Sequence, residues 1–238
     1  MSGQRVGVVG ASEIAPAVEA AGGIPVVDPE AFGSVRFVVA AGEPAIVDLV
    51  RGGIDVPVVA VSAGAGLRSV PFERLEAALT EALEAAVPVV DHPIIEVTGG
   101  FEPIRAVFDV GLMAAEPARI SEFAVRSGGE RVSRFRADGV VASTPAGSGG
   151  YNRNAGGPVL APGTGVASVV PIAPFATAPG RWIVPLDSIE LAVKRDETPV
   201  ELLVDGRREA IVDPGGSVTV SRVGTLETHV LSASRSPF

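Results

Sequence analysis

Cysteine is missing from this 238-residue chain, histidine occurs only as His92 and His229, and Lys194 is the single lysine. The first absence excludes disulfides, zinc–thiolate sites and cysteine nucleophiles, and two histidines so far apart argue against a histidine-based metal site. Any metal is therefore expected to be oxygen-ligated. With no lysine inside a glycine loop there is no Walker motif. Positive charge is in deficit as well: 19 Lys and Arg against 28 Asp and Glu leave a net charge of −9, with no basic excess to neutralise phosphates on a general nucleic-acid surface. The dominance of arginine fits genome composition or a salt-tolerant acidic surface; a phosphate-clamping role would depend on positions rather than counts. No uninterrupted run of about 18 apolar residues exists to span a bilayer. The opening "MSGQRVGVVG" has neither the charged nor the apolar region of a signal peptide. A cytoplasmic protein without membrane or nucleic-acid partners is expected.

Apolar residues make up 47% of the chain, enough to bury a sizeable core in one large domain or two modest ones. Up to about residue 90 the pattern alternates strand and helix. "RVGVVG" and "SVRFVVA" read as strands around the short helix "SEIAPAVEAAG". In "AGEPAIVDLVRGG" Pro44 suits the first helical position and Gly52 or Gly53 the stop. "VPVVAVSAG" is a further strand, and "PFERLEAALTEALEAAVP" is an amphipathic helix with Phe72, Leu75, Leu79 and Ala82 or Leu83 on one face. From about residue 93 the pattern becomes short apolar or alternating runs broken by turns, with Asp205-Gly206 a two-residue hairpin signal between "VELLV" and "RREAIV". The expected fold is an α/β domain over 1–90, a parallel sheet with helices, followed by an all-β domain over 91–238 of about ten strands. The last strand or tail is free to return to the first domain.

Three places break the plain structural pattern. At Gly42-Glu43-Pro44 a strand turns into a helix, so backbone N–H groups and the helix dipole face whatever binds there; Glu43 is equally an ordinary N-terminal cap. Phe108-Asp109 ends the apolar run "PIRAVFDV". An acid there is either an edge-strand residue facing solvent or a functional group, because burying an unpaired charge is costly. The third place is "DGVVASTPAGSGGY". There Gly147, Gly149 and Gly150 permit close backbone approach while Thr144 and Ser148 offer hydroxyls, which makes either a cradle for phosphate or ribose or a long glycine-rich hairpin. Other chemistries fail on spacing. Ser148 follows Ala146 where a nucleophile elbow needs glycine, "GVVGAS" lacks the three spaced glycines of a dinucleotide fingerprint, and His92, Trp182 and Met113 read as structural.

These three places, in this order, resemble the NAD kinase family. "DGVVASTPAGSGGY" with the later "GGP" is similar to that family's Asp-Gly, strand, Thr-Pro-x-Gly-Ser-Thr-Ala-Tyr and Gly-Gly-Pro signature. "VASVVPIAPF", "RWIVPLDSIEL" and "VDG" resemble its following strands and late hairpin. The likeness runs over about residues 35–223 and is strongest between 138 and 190. It implies an NAD kinase-like fold that assembles as a homodimer or homotetramer. It also implies transfer of a phosphoryl group to the 2′-hydroxyl of NAD from ATP or another donor, with Mg2+. Asp138, Thr144, Pro145, Gly147, Ser148 and Tyr151 stand where the family has the same residue types and are implied to line the nucleotide site, Tyr151 against a base or ribose. Gly149 and Gly150 replace the family's Thr-Ala.

The family's Gly-Gly-Asp-Gly loop stands here as Ala41-Gly42-Glu43-Pro44, and its Asn-Glu pair as Phe108-Asp109. Glu43 keeps the charge and adds a methylene, whereas Asp109 keeps the charge and loses one, so the two carboxylates are expected to compensate in reach around one substrate or metal. The implied roles are Glu43 as general base or metal organiser and Asp109 as holder of a ribose diol, with Gly42 and Phe108 beside them. Two alternatives stay open: a nucleotide-binding relative with impaired catalysis and a regulatory or partner role, and a kinase for a different hydroxyl substrate on the same fold.

Overall fold

The computed structural model describes residues 3–116, 120–175, 180–195 and 198–238; residues 1 and 2 of the expected first domain lie outside them. The chain forms two compact units, one of Met1–His92 with Thr225–Phe238 and one of Pro93–Gly224.

The first unit is built on β1 (Arg5–Val9), α1 (Ile14–Ala20), β2 (Ile24–Val26), β3 (Val38–Ala41), α2 (Glu43–Arg51), β4 (Val58–Val61) and α3 (Leu75–Glu84). The strands pair in parallel in the order β2-β1-β3-β4. Their near-continuous valine and alanine suits strands covered on both faces. Helix α2 starts with Pro44 in its first turn and buries Ala45, Ile46, Val47, Leu49 and Val50. Helix α3 buries Leu75, Ala78, Leu79, Ala82 and Leu83. The expected stripe on α3 differs at Phe72, which sits in the preceding 3-10 turn and is exposed. The expected strand "SVRFVVA" begins only at Val38, because Pro29 opens a 3-10 helix (Pro29–Ser34) capped by the Asp28 carboxylate, which accepts from the Glu30 N–H. Strand β2, three residues long, carries too little periodicity to register in the sequence.

The second unit contains most of β5 (Val89–Thr98), β6 (Ile104–Ala106), β7 (Asp109–Ala114), β8 (Ser121–Ser127), β9 (Glu130–Ala137), β10 (Gly139–Ser143), the single turn α4 (Tyr151–Asn154), β11 (Val166–Ile172), β12 (Trp182–Pro185), β13 (Ile189–Arg195), β14 (Val200–Val204), β15 (Arg207–Val212) and the start of β16 (Ser217–His229). One antiparallel sheet runs β12-β11-β10-β7-β14-β15, and a second joins β16, β13, β8 and β9. The inward residues of both, among them Val110, Leu112, Phe123, Val125, Val140, Val169, Leu191 and Leu202, form one core. That arrangement matches the alternation read from the sequence. The β8–β9 turn places Gly128 and Gly129 at φ 57° and 82°, and the β14–β15 turn places Asp205 and Gly206 at 49° and 73°, as two-residue hairpins require.

The chain crosses between units within β5 and within β16. Thr228 of β16 pairs in parallel with Val58, Leu231 is buried in the first unit's core, and the Glu81 carboxylate accepts from both the backbone N–H and the hydroxyl of Ser232. Among the described residues no helix is long and apolar enough to cross a membrane.

Candidate functional site

In the first unit the strand ends gather three glycine turns. Gly10 follows β1, Gly42 follows β3 and Gly64 follows β4, all with positive φ. Gly42 (φ 83°, ψ 157°) and Gly64 (φ 82°, ψ 156°) share one conformation, in a region that only glycine occupies readily. The Gly42 N–H donates to the Val61 carbonyl at 2.8 Å, so the two turns are tied side by side at the carboxyl ends of adjacent strands. The Glu43 carboxylate reaches across to the second turn: a Cβ built on Gly64 would lie 3.2 Å from its Oε1. Glu43 is exposed and occupies the first turn of α2, where the helix dipole favours a negative group. The segment 62–69 contains a 3-10 turn (Ala65–Leu67) flanked by two residues with positive φ, Ser62 at 49° and Arg68 at 54°, with the Ser69 hydroxyl donating to the Gly64 carbonyl at 2.7 Å.

Deeper in this unit His92 is fully buried, with its Nε2 2.9 Å from the Thr228 hydroxyl. Burial pushes its pKa down to about 4, against an opposing pull from Asp91 and a further depression from Arg68. Burial likewise lowers His229, beside Phe37. Both read as structural.

In the second unit the predicted residues other than Asp138 cluster about the start of β7 and the end of β10, where Asp109 lies directly opposite Ser143. The strip Val107-Phe108-Asp109 is held on two sides. The Thr144 N–H donates to the Phe108 carbonyl at 2.9 Å, and the Thr144 hydroxyl donates to the Val107 carbonyl. Opposite, the Asp205 carboxylate accepts from the N–H groups of Val107, Phe108 and Asp109 at 3.0, 2.8 and 3.1 Å. The Phe108 side chain is buried, so its contribution to the site is its backbone. Asp109 is half-buried.

The glycine loop is shaped from within. A Cβ at Gly147 would lie 2.3 Å from the Phe108 carbonyl oxygen, so this close approach admits only glycine. Thr144 and Ser148, predicted to offer hydroxyls to a ligand, are buried and use them inside the fold. Ser148 donates to the Pro145 carbonyl at 2.8 Å and accepts from the Leu160 N–H at 2.9 Å. Pro145 and Ala146 are buried beside them. What the loop presents outward is Gly149, Gly150 and the Tyr151 ring, 48% exposed at the start of α4. Asn152, not singled out from the sequence, is buried under the loop and donates to the carbonyls of Ser148 and Pro158 at 3.0 and 2.9 Å.

Asp138 is not brought to the loop within the chain. It precedes β10 while Thr144 follows it, and six extended residues span about 20 Å. The sequence reading also missed the clamping role of Asp205: the Asp-Gly pair signalled a hairpin, and nothing local signals a carboxylate bonded to amides nearly a hundred positions away.

Among known structures, an NAD kinase from Archaeoglobus fulgidus in complex with ATP superposes with a TM-score of 0.79 at 23% identity, covering 96% of this chain and 94% of that one. Yeast NADH kinase complexed with NADH also gives 0.79, at 18% identity, covering 98% and 85%. The fold is thus of the NAD and NADH kinase class. A sequence profile of the ATP-NAD kinase C-terminal domain matches residues 109–231, more than half of the chain. The chain belongs to the ATP-NAD kinase family. An NAD kinase of Methanosarcina barkeri (strain Fusaro / DSM 804) is 36% identical over 104 residues, covering 43% of this chain and 38% of the relative. One of Chlorobium luteolum (strain DSM 273 / BCRC 81028 / 2530) is 33% identical over 155 residues, covering 64% and 51%. The matches thus span about two-fifths to one-half of these relatives' length.

Proposed function

We propose that this chain phosphorylates the 2′-hydroxyl of NAD, taking the phosphoryl group from ATP or another donor and releasing NADP. The observation that carries the reading is the loop 144–151. Its polar side chains are consumed internally, Gly147 is packed against the Phe108 carbonyl, and its outward surface is bare backbone with one aromatic ring. That surface suits close approach by a nucleotide, with Tyr151 against a base or ribose. Asp109, anchored at both flanks, holds a ribose diol. Glu43, at a helix start beside two glycine turns, takes the proton as the ribose oxygen bonds to phosphorus and the bond from phosphorus to the donor's leaving oxygen breaks.

Among the described residues no group of three or more histidine, cysteine, aspartate or glutamate side chains is placed to hold a metal ion. The single carboxylate of Glu43 fits Mg2+, which keeps waters and substrate phosphates as most of its ligands. When bound, the ion neutralises charge on the donor phosphates. A homodimer or homotetramer in the cytoplasm is the accompanying proposal, checked by light scattering of the purified protein and by fractionation.

The test is incubation of purified protein with NAD, ATP and Mg2+ at low and high salt, followed by an assay for NADP. Product formation that falls by about 100-fold or more in Glu43→Ala supports the reading; equal turnover in Glu43→Gln removes Glu43 from proton transfer. One feature favours a second reading, a nucleotide-binding protein without turnover: Pro44 supplies no N–H at the turn where the family carries glycine. A rise in melting temperature with NAD or NADP but no product would establish that alternative.

A further inference from the structure

The turn between β14 and β15 holds more than a hairpin needs. Asp205 and Gly206 satisfy the two positive φ angles, for which Asn-Gly or Gly-Gly would serve equally. The carboxylate, however, collects three consecutive amides: Oδ1 accepts from Phe108 at 2.8 Å and Asp109 at 3.1 Å, and Oδ2 from Val107 at 3.0 Å. Its own N–H donates back to the Asp109 carbonyl at 2.9 Å. Successive N–H groups converging on one point form an anion-binding concavity, here filled by the chain's own carboxylate. The carbonyls of the same strip, at Val107 and Phe108, are taken by Thr144 at the root of the glycine loop.

From this geometry we infer that Asp205 is a positioning residue. Its carboxylate locks the 107–109 backbone and so fixes both the direction of the Asp109 side chain and the seat of the 144–151 loop. The inference rests on the nucleotide-site reading above. Charge-assisted bonds from partly buried amides are strong, and removing their common acceptor leaves three adjacent donors unpaired. The bonds from Thr144 to the carbonyls of Val107 and Phe108 remain.

Two variants separate this role from turn formation. Asp205→Gly and Asp205→Asn both accept positive φ, so the hairpin survives in each. Glycine removes the acceptor altogether. Asparagine keeps one oxygen for Phe108 and Asp109 but turns an NH2 toward the Val107 N–H. The readouts are amide hydrogen exchange at residues 107–109, measured by NMR on the full chain, and NAD affinity by calorimetry. In Asp205→Gly exchange at the three amides should accelerate about tenfold or more while the β14–β15 ladder keeps its protection, with Asp205→Asn intermediate. NAD affinity should fall about tenfold, and the loss when Asp205→Gly is combined with Asp109→Ala should be smaller than the sum of the two single losses. Wild-type exchange at 107–109 in the glycine variant overturns the inference. So does faster exchange without loss of affinity, or additive losses in the double variant. Should the wild-type protein fail to bind NAD, the functional reading falls and the exchange experiment decides the clamp alone.

Discussion

At the scale of single residues, the loop around Gly147 separates glycines required by packing from glycines that leave room. A methyl group at Gly147 would meet the Phe108 backbone at 2.3 Å, whereas one at Gly149 meets nothing within 4 Å and the residue is exposed. Gly147→Ala should therefore destabilise the protein by about 1–3 kcal/mol. Gly149→Thr, which restores a family residue type, should change stability by no more than about 0.5 kcal/mol. Equal denaturation midpoints for the two variants would contradict this account of the loop. A second residue-scale consequence concerns acid. His92 has its pKa lowered to about 4 by burial, below the unfolded value of about 6.5. As pH falls from about 6.5 toward 4 the unfolded chain takes up a proton that the folded chain refuses, so stability present above pH 6.5 is lost through that window, by roughly 3 kcal/mol for this group. Replacing His92 with Gln should flatten the acid limb of stability against pH. An unchanged slope between pH 6.5 and 4 would show that other groups set it.

At the scale of elements, the return of the chain end to the first unit is a packing event between distant segments. Leu231 is 3% exposed in a core shared with Val59, Leu79 and Leu83, and Ser232 is bonded to Glu81 on α3. Leu231→Ala should cost about 2–5 kcal/mol, seen as a lower midpoint in chemical denaturation; a cost below about 0.5 kcal/mol would mean that the segment contributes no core. The elements themselves were unevenly legible. Helices α2 and α3 announced themselves because Pro44, Gly52 and a 3.6-residue apolar stripe are local signals. Strand β2, three residues long, carries no such signal, and Phe72 departs from the apolar helix face because a 3-10 turn starts the segment on a different angle.

At the scale of the whole molecule, one chain carries two units of different architecture, and each presents its share of the predicted residues: Gly42 and Glu43 on one, Phe108, Asp109 and the 144–151 loop on the other. The sequence by itself determined the fold class, since the switch from alternating strand and helix to strands alone is written in hydrophobic period and turn residues. It also determined the family, since the 138–158 signature is contiguous. Tertiary structure alone decided how the predicted residues are held. It took the hydroxyls of Thr144 and Ser148 into hydrogen bonds with the chain's own backbone at Val107, Pro145 and Leu160, set Asp138 a strand's length from Thr144, and made the hairpin residue Asp205 an acceptor for the Asp109 amide. The physical reason is range: period and turn propensity act over a few neighbouring residues, while hydrogen-bond satisfaction in a folded chain is settled between segments that only the closed sheets bring within 3 Å.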